Sequence, residues 1–99
     1  MSTPFPRSPR LAIRIPLTYR IPGDDRWTDS LVQNISDSGV LFGPTTLRPG
    51  TEVEVMFSAP TDIGKLGSGR QVCAAEVVRR TESGEAAVRF EECRFMLDS

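Results

Sequence analysis

The chain alternates apolar and polar residues over short runs, and turn sequences separate these runs. From Ile13 to Ile21, every odd position carries an apolar or aromatic residue, and every even position carries arginine, proline or threonine. A period of two places one face of an extended segment on a core and the other toward solvent. We therefore predict a first strand here, with Pro16 marking an edge or a bulge.

Five more runs have extended character and are bounded by turn residues. They are Trp27–Ile35, Val40–Phe42, Val53–Phe57, Gln71–Arg80 and Glu85–Phe90. No convincing amphipathic helix lies between them. Six short strands at this spacing are typical of an all-β antiparallel barrel or sandwich. The segment from Glu91 to Leu97 is compatible with one or two turns of helix at the C-terminus.

The 99 residues fit one domain. We predict a flexible N-terminal arm at residues 1–9, which is rich in proline, and a single domain at 10–99. No apolar run is long enough to span a bilayer, so we expect no membrane insertion. The N-terminus also lacks the apolar core of a secretory signal, which favours a cytoplasmic protein.

The two cysteines and the absence of histidine limit which disulfide, metal and catalytic sites the chain can form. Cys73 and Cys93 are too few for a disulfide framework, and no histidine is present to complete a zinc site. We interpret both cysteines as buried or idle thiols and expect no metal site. Without histidine the usual neutral-pH base is missing, so we expect a binding module with no catalytic residues and no cofactor.

The charge distribution shows a local basic arm in a chain whose net charge is close to zero. The net charge of −1 disfavours a protein that coats DNA or RNA polymers. Before Asp24, however, the chain carries four arginines and no acidic residue. Eleven of the twelve basic residues are arginine, whose planar fork fits phosphate and guanine bidentately.

Residues 58–70 form the longest stretch without periodicity and are rich in glycine. Gly64-Lys65 is followed by Leu66, whereas a phosphate-binding loop requires Ser or Thr at that position and a helix after it. We interpret this segment as a flexible connection between two strands.

Two clusters carry possible ligand chemistry. Arg10 and Arg14 are four residues apart where the arm meets the first strand, and a bend there would direct both guanidinium groups at one ligand. Asn34, Ser36 and Gly39 lie where the second strand breaks into a turn. Gly39 allows a positive φ or a close approach of a ligand to the backbone. When each cluster is taken alone, the structural interpretation is favoured: two solvated arginines for the first cluster and a self-capped turn for the second.

In this order and spacing, Arg10-x-x-x-Arg14 and Asn34-x-Ser36-x-x-Gly39 resemble the RxxxR and [D/N]xSxxG motifs of the PilZ domain family. The resemblance extends over essentially the whole chain, through the Val77–Arg79 run and the Ala86–Phe90 run. It implies a six-stranded β-barrel that acts as a receptor for the bacterial second messenger cyclic di-GMP.

The resemblance also implies roles for individual residues. Arg10 and Arg14 would bind phosphates and guanines, while Asn34 and Ser36 would hydrogen-bond the ligand and Gly39 would let the backbone close on it. Many family members carry a further arginine directly before RxxxR, where this chain has Pro9. Arg7 is a second-tier candidate for that place, and the number of ligand molecules per site stays open.

Two other functions remain as alternatives. A PilZ-like adaptor would bind a protein partner without nucleotide, and a receptor would also need a downstream protein partner, whose identity the sequence does not indicate. A small barrel that binds single-stranded nucleic acid would need exposed stacking aromatics. The few aromatic residues are largely required for the core, so this alternative ranks below the other two.

Overall fold

Six antiparallel strands make up the part of the chain that this computed structural model describes, residues 15–96. The strands are β1 Pro16–Arg20, β2 Thr28–Ile35, β3 Gly39–Gly43, β4 Glu52–Ala59, β5 Gly69–Arg80 and β6 Ala86–Phe95. The predicted arm at 1–9 lies outside the described residues, and so do Arg7, Arg10 and Arg14.

The strands close into a barrel in the order β1-β2-β3-β6-β5-β4. Closure follows from β1, which pairs with β2 on one side and with β4 on the other. The predicted all-β, six-stranded antiparallel barrel is therefore confirmed. Among residues 15–96 no helix is long and apolar enough to cross a membrane.

The period of two seen in the sequence places the apolar side chains inside the barrel. In β4, Val53, Val55 and Phe57 are each at most 3% exposed, while Glu52 and Glu54 on the alternate positions point outward. Burying an apolar side chain of this size contributes about 1.5–3 kcal/mol. The interior is thus filled by core residues, and a ligand site must lie on the outer surface or at a barrel end.

Three bulges interrupt the ladders. Gln33 is the extra residue in β2, Val78 the extra residue in β5, and Glu91 the extra residue in β6. A bulge reverses the face that the following side chains occupy relative to the unbroken alternation. All three bulges border the outer face of the sheet that β2, β3, β6 and β5 form.

The predicted connection between β4 and β5 contains a small hairpin of its own. Ile63 and Leu66 exchange two backbone hydrogen bonds of 2.8 Å, and their side chains, 1% and 5% exposed, join the core. This part of the glycine-rich segment therefore packs on the barrel.

The predicted C-terminal helix is wrong within the described residues, because β6 continues to Phe95. Its second half pairs with β5, from Ala74↔Glu92 to Gln71↔Phe95. The sequence Glu91–Leu97 has no strong preference for either structure, so the long-range pairing with β5 decides.

The interpretation of the cysteines as thiols is also wrong. Cys73 and Cys93 are directly opposite each other in the β5–β6 ladder, with Cα atoms 4.0 Å apart, and form a disulfide. Only the strand register brings them together, since they are 20 residues apart in the chain. Disulfides are rare in cytosolic proteins, so the cysteines no longer support the cytoplasmic prediction.

We predict that a thiol-alkylating reagent adds two alkyl groups to the protein only after reduction with a dithiol. Intact mass, measured after alkylation with and without the dithiol, tests this. Because the bond closes a loop of 20 residues, reduction should lower the free energy of unfolding by about 3 kcal/mol. The Cys73→Ala/Cys93→Ala double variant should unfold at the same urea concentration with or without reductant. Full alkylation without reductant would contradict the disulfide.

Candidate ligand-binding site

The turn between β2 and β3 holds the second sequence motif and is built by its own side chains. The backbone N–H of Ser36 donates to the carbonyl of Gly39 at 2.9 Å, and the N–H of Ser38 donates to Ser36 Oγ at 3.3 Å. Ser36 is 2% exposed, and its hydroxyl also pairs with that of Ser38 at 3.1 Å. Ser36 therefore shapes the turn, and its predicted contact with a ligand stays a prediction.

The turn is also tied to its surroundings. The N–H of Phe90 in β6 donates to the carbonyl of Ser38 at 2.9 Å. On the other side, Asp37 Oδ2 accepts a hydrogen bond of 3.0 Å from the backbone N–H of Lys65. Gly64 has φ +56°, and a Cβ there would lie 2.3 Å from Asp37 Oδ2. Asp37 thus links the motif to the loop before β5, a role that sequence reasoning missed because the partner is a backbone group 28 residues away.

Gly39 begins β3 and packs directly against β6. A Cβ built on Gly39 would lie 2.2 Å from the carbonyl oxygen of Val88, which no side chain tolerates. Its φ is not positive, so that part of the expectation is wrong. The close approach that requires glycine here is the approach of the neighbouring strand, and a further approach by a ligand stays a prediction.

Asn34 follows the bulge at Gln33 and has a polar atom without a partner. Its Oδ1 is buried and has no hydrogen bond among the described residues. Buried polar atoms are nearly always hydrogen-bonded, so a lone acceptor of this kind is suited to receive a donor from a ligand. Asn34 is the motif residue whose geometry most favours ligand contact.

Asn34 and Gly39 line one groove of about 340 Å³ on the outer face of the barrel. Two rows of paired residues run across the strands here, and the groove takes in the whole first row but only Gly39 and Arg89 of the second. One row is Asn34 in β2, Leu41 in β3, Ala87 in β6 and Arg79 in β5. The other row is Gly39 in β3, Arg89 in β6, Glu76 in β5 and Glu52 in β4. The groove has an apolar floor with polar groups at its sides.

A larger groove, about 430 Å³, crosses β1 and β4 on another part of the barrel and contains none of the motif residues within 15–96. Volume alone would favour it. The chemistry favours the smaller groove, because Asn34, Gly39 and two arginines converge there.

The row that ends at Glu52 is crowded with carboxylates. One carboxylate oxygen from each of Glu52, Glu76 and Glu91 lies within 4.8 Å of the other two. Arg89 Nη2 pairs with Glu76 Oε1 at 3.0 Å and offsets part of this charge. Loss of hydration and the neighbouring Glu91 raise the pKa of Glu52 above its ordinary value of 4.5, with Glu76 acting in the same direction.

Comparison with known proteins agrees with this architecture. A family model described as the PilZ domain matches residues 5–98. The chain is also similar to a solved structure described as the PilZ domain of CeSA from a cellulose-synthesizing bacterium. The two share 15% identity and align with a TM-score of 0.59 over 93% of this chain and 84% of the other. That likeness shows the fold alone. No curated protein sequence matches the chain significantly.

We predict that Gly39→Ala destabilises the barrel, because the methyl group would have to displace the backbone of Val88. Overpacking of this kind costs about 1–3 kcal/mol, which urea unfolding would measure. Gly67→Ala is the matched control, since the atom nearest to its new Cβ is the tip of the exposed Phe95 ring, which can move. Equal stability of the two variants would contradict this account of Gly39.

Glu52→Gln should stabilise the protein at neutral pH. Since the folded-state pKa of Glu52 is raised, its stabilising contribution is present below pH 4.5 and is lost as the pH rises through the folded-state pKa. Glutamine does not ionise, so the variant does not lose this stability as the pH rises. Its melting temperature should exceed that of the wild type at neutral pH, and the difference should shrink as the pH falls toward 4.5. Glu82→Gln, in the exposed β5–β6 turn and outside this carboxylate cluster, is the control variant.

Proposed function

The chain belongs to the PilZ domain family, and from that premise we propose that it is a non-catalytic receptor for cyclic di-GMP. The observation that carries the proposal is the extent of the family match. Residues 5–98 include both Arg10-x-x-x-Arg14 and Asn34-x-Ser36-x-x-Gly39. PilZ domains are binding domains, and a chain with both motifs has the residue types that a dianionic ligand with two guanines requires.

The chemistry of the groove supports this ligand. A guanine presents two acceptors on one edge and a flat face, which suit bidentate arginine contacts and packing on an apolar floor. Leu41 and Ala87 form such a floor, and Asn34 Oδ1 offers an unused acceptor beside it. Donor groups on the guanine edge are the natural partners of that acceptor.

The position at which the chain enters the barrel supports a role for Arg10 and Arg14. The carbonyl of Ile15 accepts a hydrogen bond of 2.8 Å from Val32 N–H in β2. Asn34 is two residues further along the same strand. Ile15 is therefore bonded to β2 two residues before Asn34, and we assign the phosphates and the outer guanine face to Arg10 and Arg14, with Arg7 as an additional contact.

Signalling in this proposal depends on the arm. Binding orders the residues around Arg10 and Arg14 against the barrel and shifts the population of arm conformations. The ordered arm changes the surface that a downstream protein partner recognises. A cytoplasmic location is part of the proposal.

We expect calorimetric titration to show saturable binding of cyclic di-GMP, with clear preference over GMP, GTP and ATP, and with affinity that falls as salt rises. The same titration gives the number of ligand molecules per chain. No binding heat at high micromolar ligand, with protein that is folded by circular dichroism, would overturn the receptor and favour the adaptor.

Substitutions of the two arginines in the arm test whether these residues bind the ligand. Arg10→Ala and Arg14→Ala should each weaken binding by about 1.5–3 kcal/mol, or about tenfold to a hundredfold. Arg14→Lys should recover only part of the loss, because lysine lacks the planar fork. Arg48→Ala, exposed and outside the groove, is the control. Equal losses at all three arginines would indicate general electrostatics without a site.

A further inference from the structure

Two arginines that belong to neither motif form the side of the groove opposite Asn34. Arg79 lies in β5 and Arg89 in β6, and both line the groove that contains Asn34 and Gly39. Arg79 is 45 residues beyond Asn34 in the chain, and Arg89 is 50 residues beyond Gly39. Only the barrel order β2-β3-β6-β5 brings them to the same face.

The register sets the distance across the groove. Asn34 pairs with Leu41, Leu41 with Ala87, and Ala87 with Arg79. This row spans three strand spacings, or about 14 Å between the outer backbones. A flat base that contacts Asn34 therefore leaves space on the Leu41 and Ala87 floor for a second group on the β5 side.

Arg79 owes its place in the groove to the bulge at Val78. Without that extra residue, the alternation in β5 would place position 79 inward, in line with Val77 and Ala75. The exposed Arg79 side chain makes no hydrogen bond or ion pair with any residue from 15 to 96. Two other arginine side chains do have partners, since Arg20 pairs with Glu54 at 2.7 Å and Arg80 donates to the carbonyl of Thr45 at 3.2 Å.

Arg89 has an intramolecular partner that a ligand would have to replace. Its side chain is 61% exposed and pairs with Glu76 at 3.0 Å. On its other side in the row lies Gly39, which has no side chain and also lines the groove. An anion above Gly39 would be adjacent to Arg89 and would compete with Glu76 for the guanidinium group.

We propose that Arg79 and Arg89 bind the half of cyclic di-GMP that Asn34 and the arm do not contact, and that Glu76 weakens this binding by holding Arg89. The inference rests on the proposed function. It divides the groove into an Asn34 side and an arginine side, so that one ligand molecule with two phosphates and two guanines is held at both ends. Glu76 then sets the affinity without touching the ligand.

Calorimetric titration of the full chain with cyclic di-GMP tests the arginines. Arg79→Ala and Arg89→Ala should each raise the Kd about tenfold to a hundredfold, the usual scale for a hydrogen bond to a charged group. Arg94→Ala is the matched control, because this arginine is also exposed in β6 but lies outside the groove, and its Kd should equal the wild type. Arg79→Lys should recover part of the loss, with thermal melts showing that all variants are folded.

Glu76→Gln should change the Kd in the opposite direction. Freeing Arg89 from an exposed ion pair should tighten binding about two- to fivefold. The gain should disappear in the Arg89→Ala background, because the carboxylate acts only through that arginine. A gain that persists there would show that Glu76 acts by general repulsion and would overturn its assigned role.

The outcomes separate this inference from the function on which it rests. If the wild type binds cyclic di-GMP but Arg79→Ala and Arg89→Ala have the same Kd as Arg94→Ala, only the proposed contacts of Arg79 and Arg89 are overturned. Wild-type protein that does not bind at all overturns the receptor proposal and this inference together.

Discussion

The packing of Gly39 against the carbonyl of Val88 is the constraint on which the candidate site depends. The ideal Cβ position of Gly39 lies 2.2 Å from that oxygen, so β3 and β6 reach their observed spacing only because residue 39 has no side chain. This contact holds the 36–38 turn on the barrel, since Phe90 N–H then reaches the carbonyl of Ser38. Gly39 and its ladder partner Arg89 also line the groove. One glycine therefore serves both the barrel and the groove.

The outer face gains its polarity from the order of side chains across the strands. The row Glu52, Glu76, Arg89 and Gly39 passes from excess negative charge, through a compensated pair, to bare backbone. This order of charges disfavours an anion on the β4 side and is compatible with the proposed anionic ligand on the β3 side. Because the barrel interior is filled with apolar side chains, the outer face is the surface available for ligand binding. The bulges at Gln33 and Val78 change which side chains lie on that face.

The strands were predictable because their signals are local. Alternation in Val53–Phe57 and the turn residues between runs depend only on neighbours in the chain, and each predicted run overlaps an observed strand. The segment from Glu91 was mistaken for a possible helix because it lacks alternation. Its strand conformation comes from pairing with residues 71–74 of β5. The same pairing joins Cys73 to Cys93, and no local pattern announces either fact.

Residues adjacent in the chain specify the strand count, the turns and the motif residues Asn34, Ser36 and Gly39, so all of these could be predicted from the amino-acid sequence. Only the folded barrel closes the sheet, brings Arg79 and Arg89 beside Asn34 and forms the hydrogen bond from Lys65 N–H to Asp37. These features depend on strand register. A bulge of one residue moves a side chain from the core to the surface, and contacts between strands far apart in the sequence leave no trace in its local pattern.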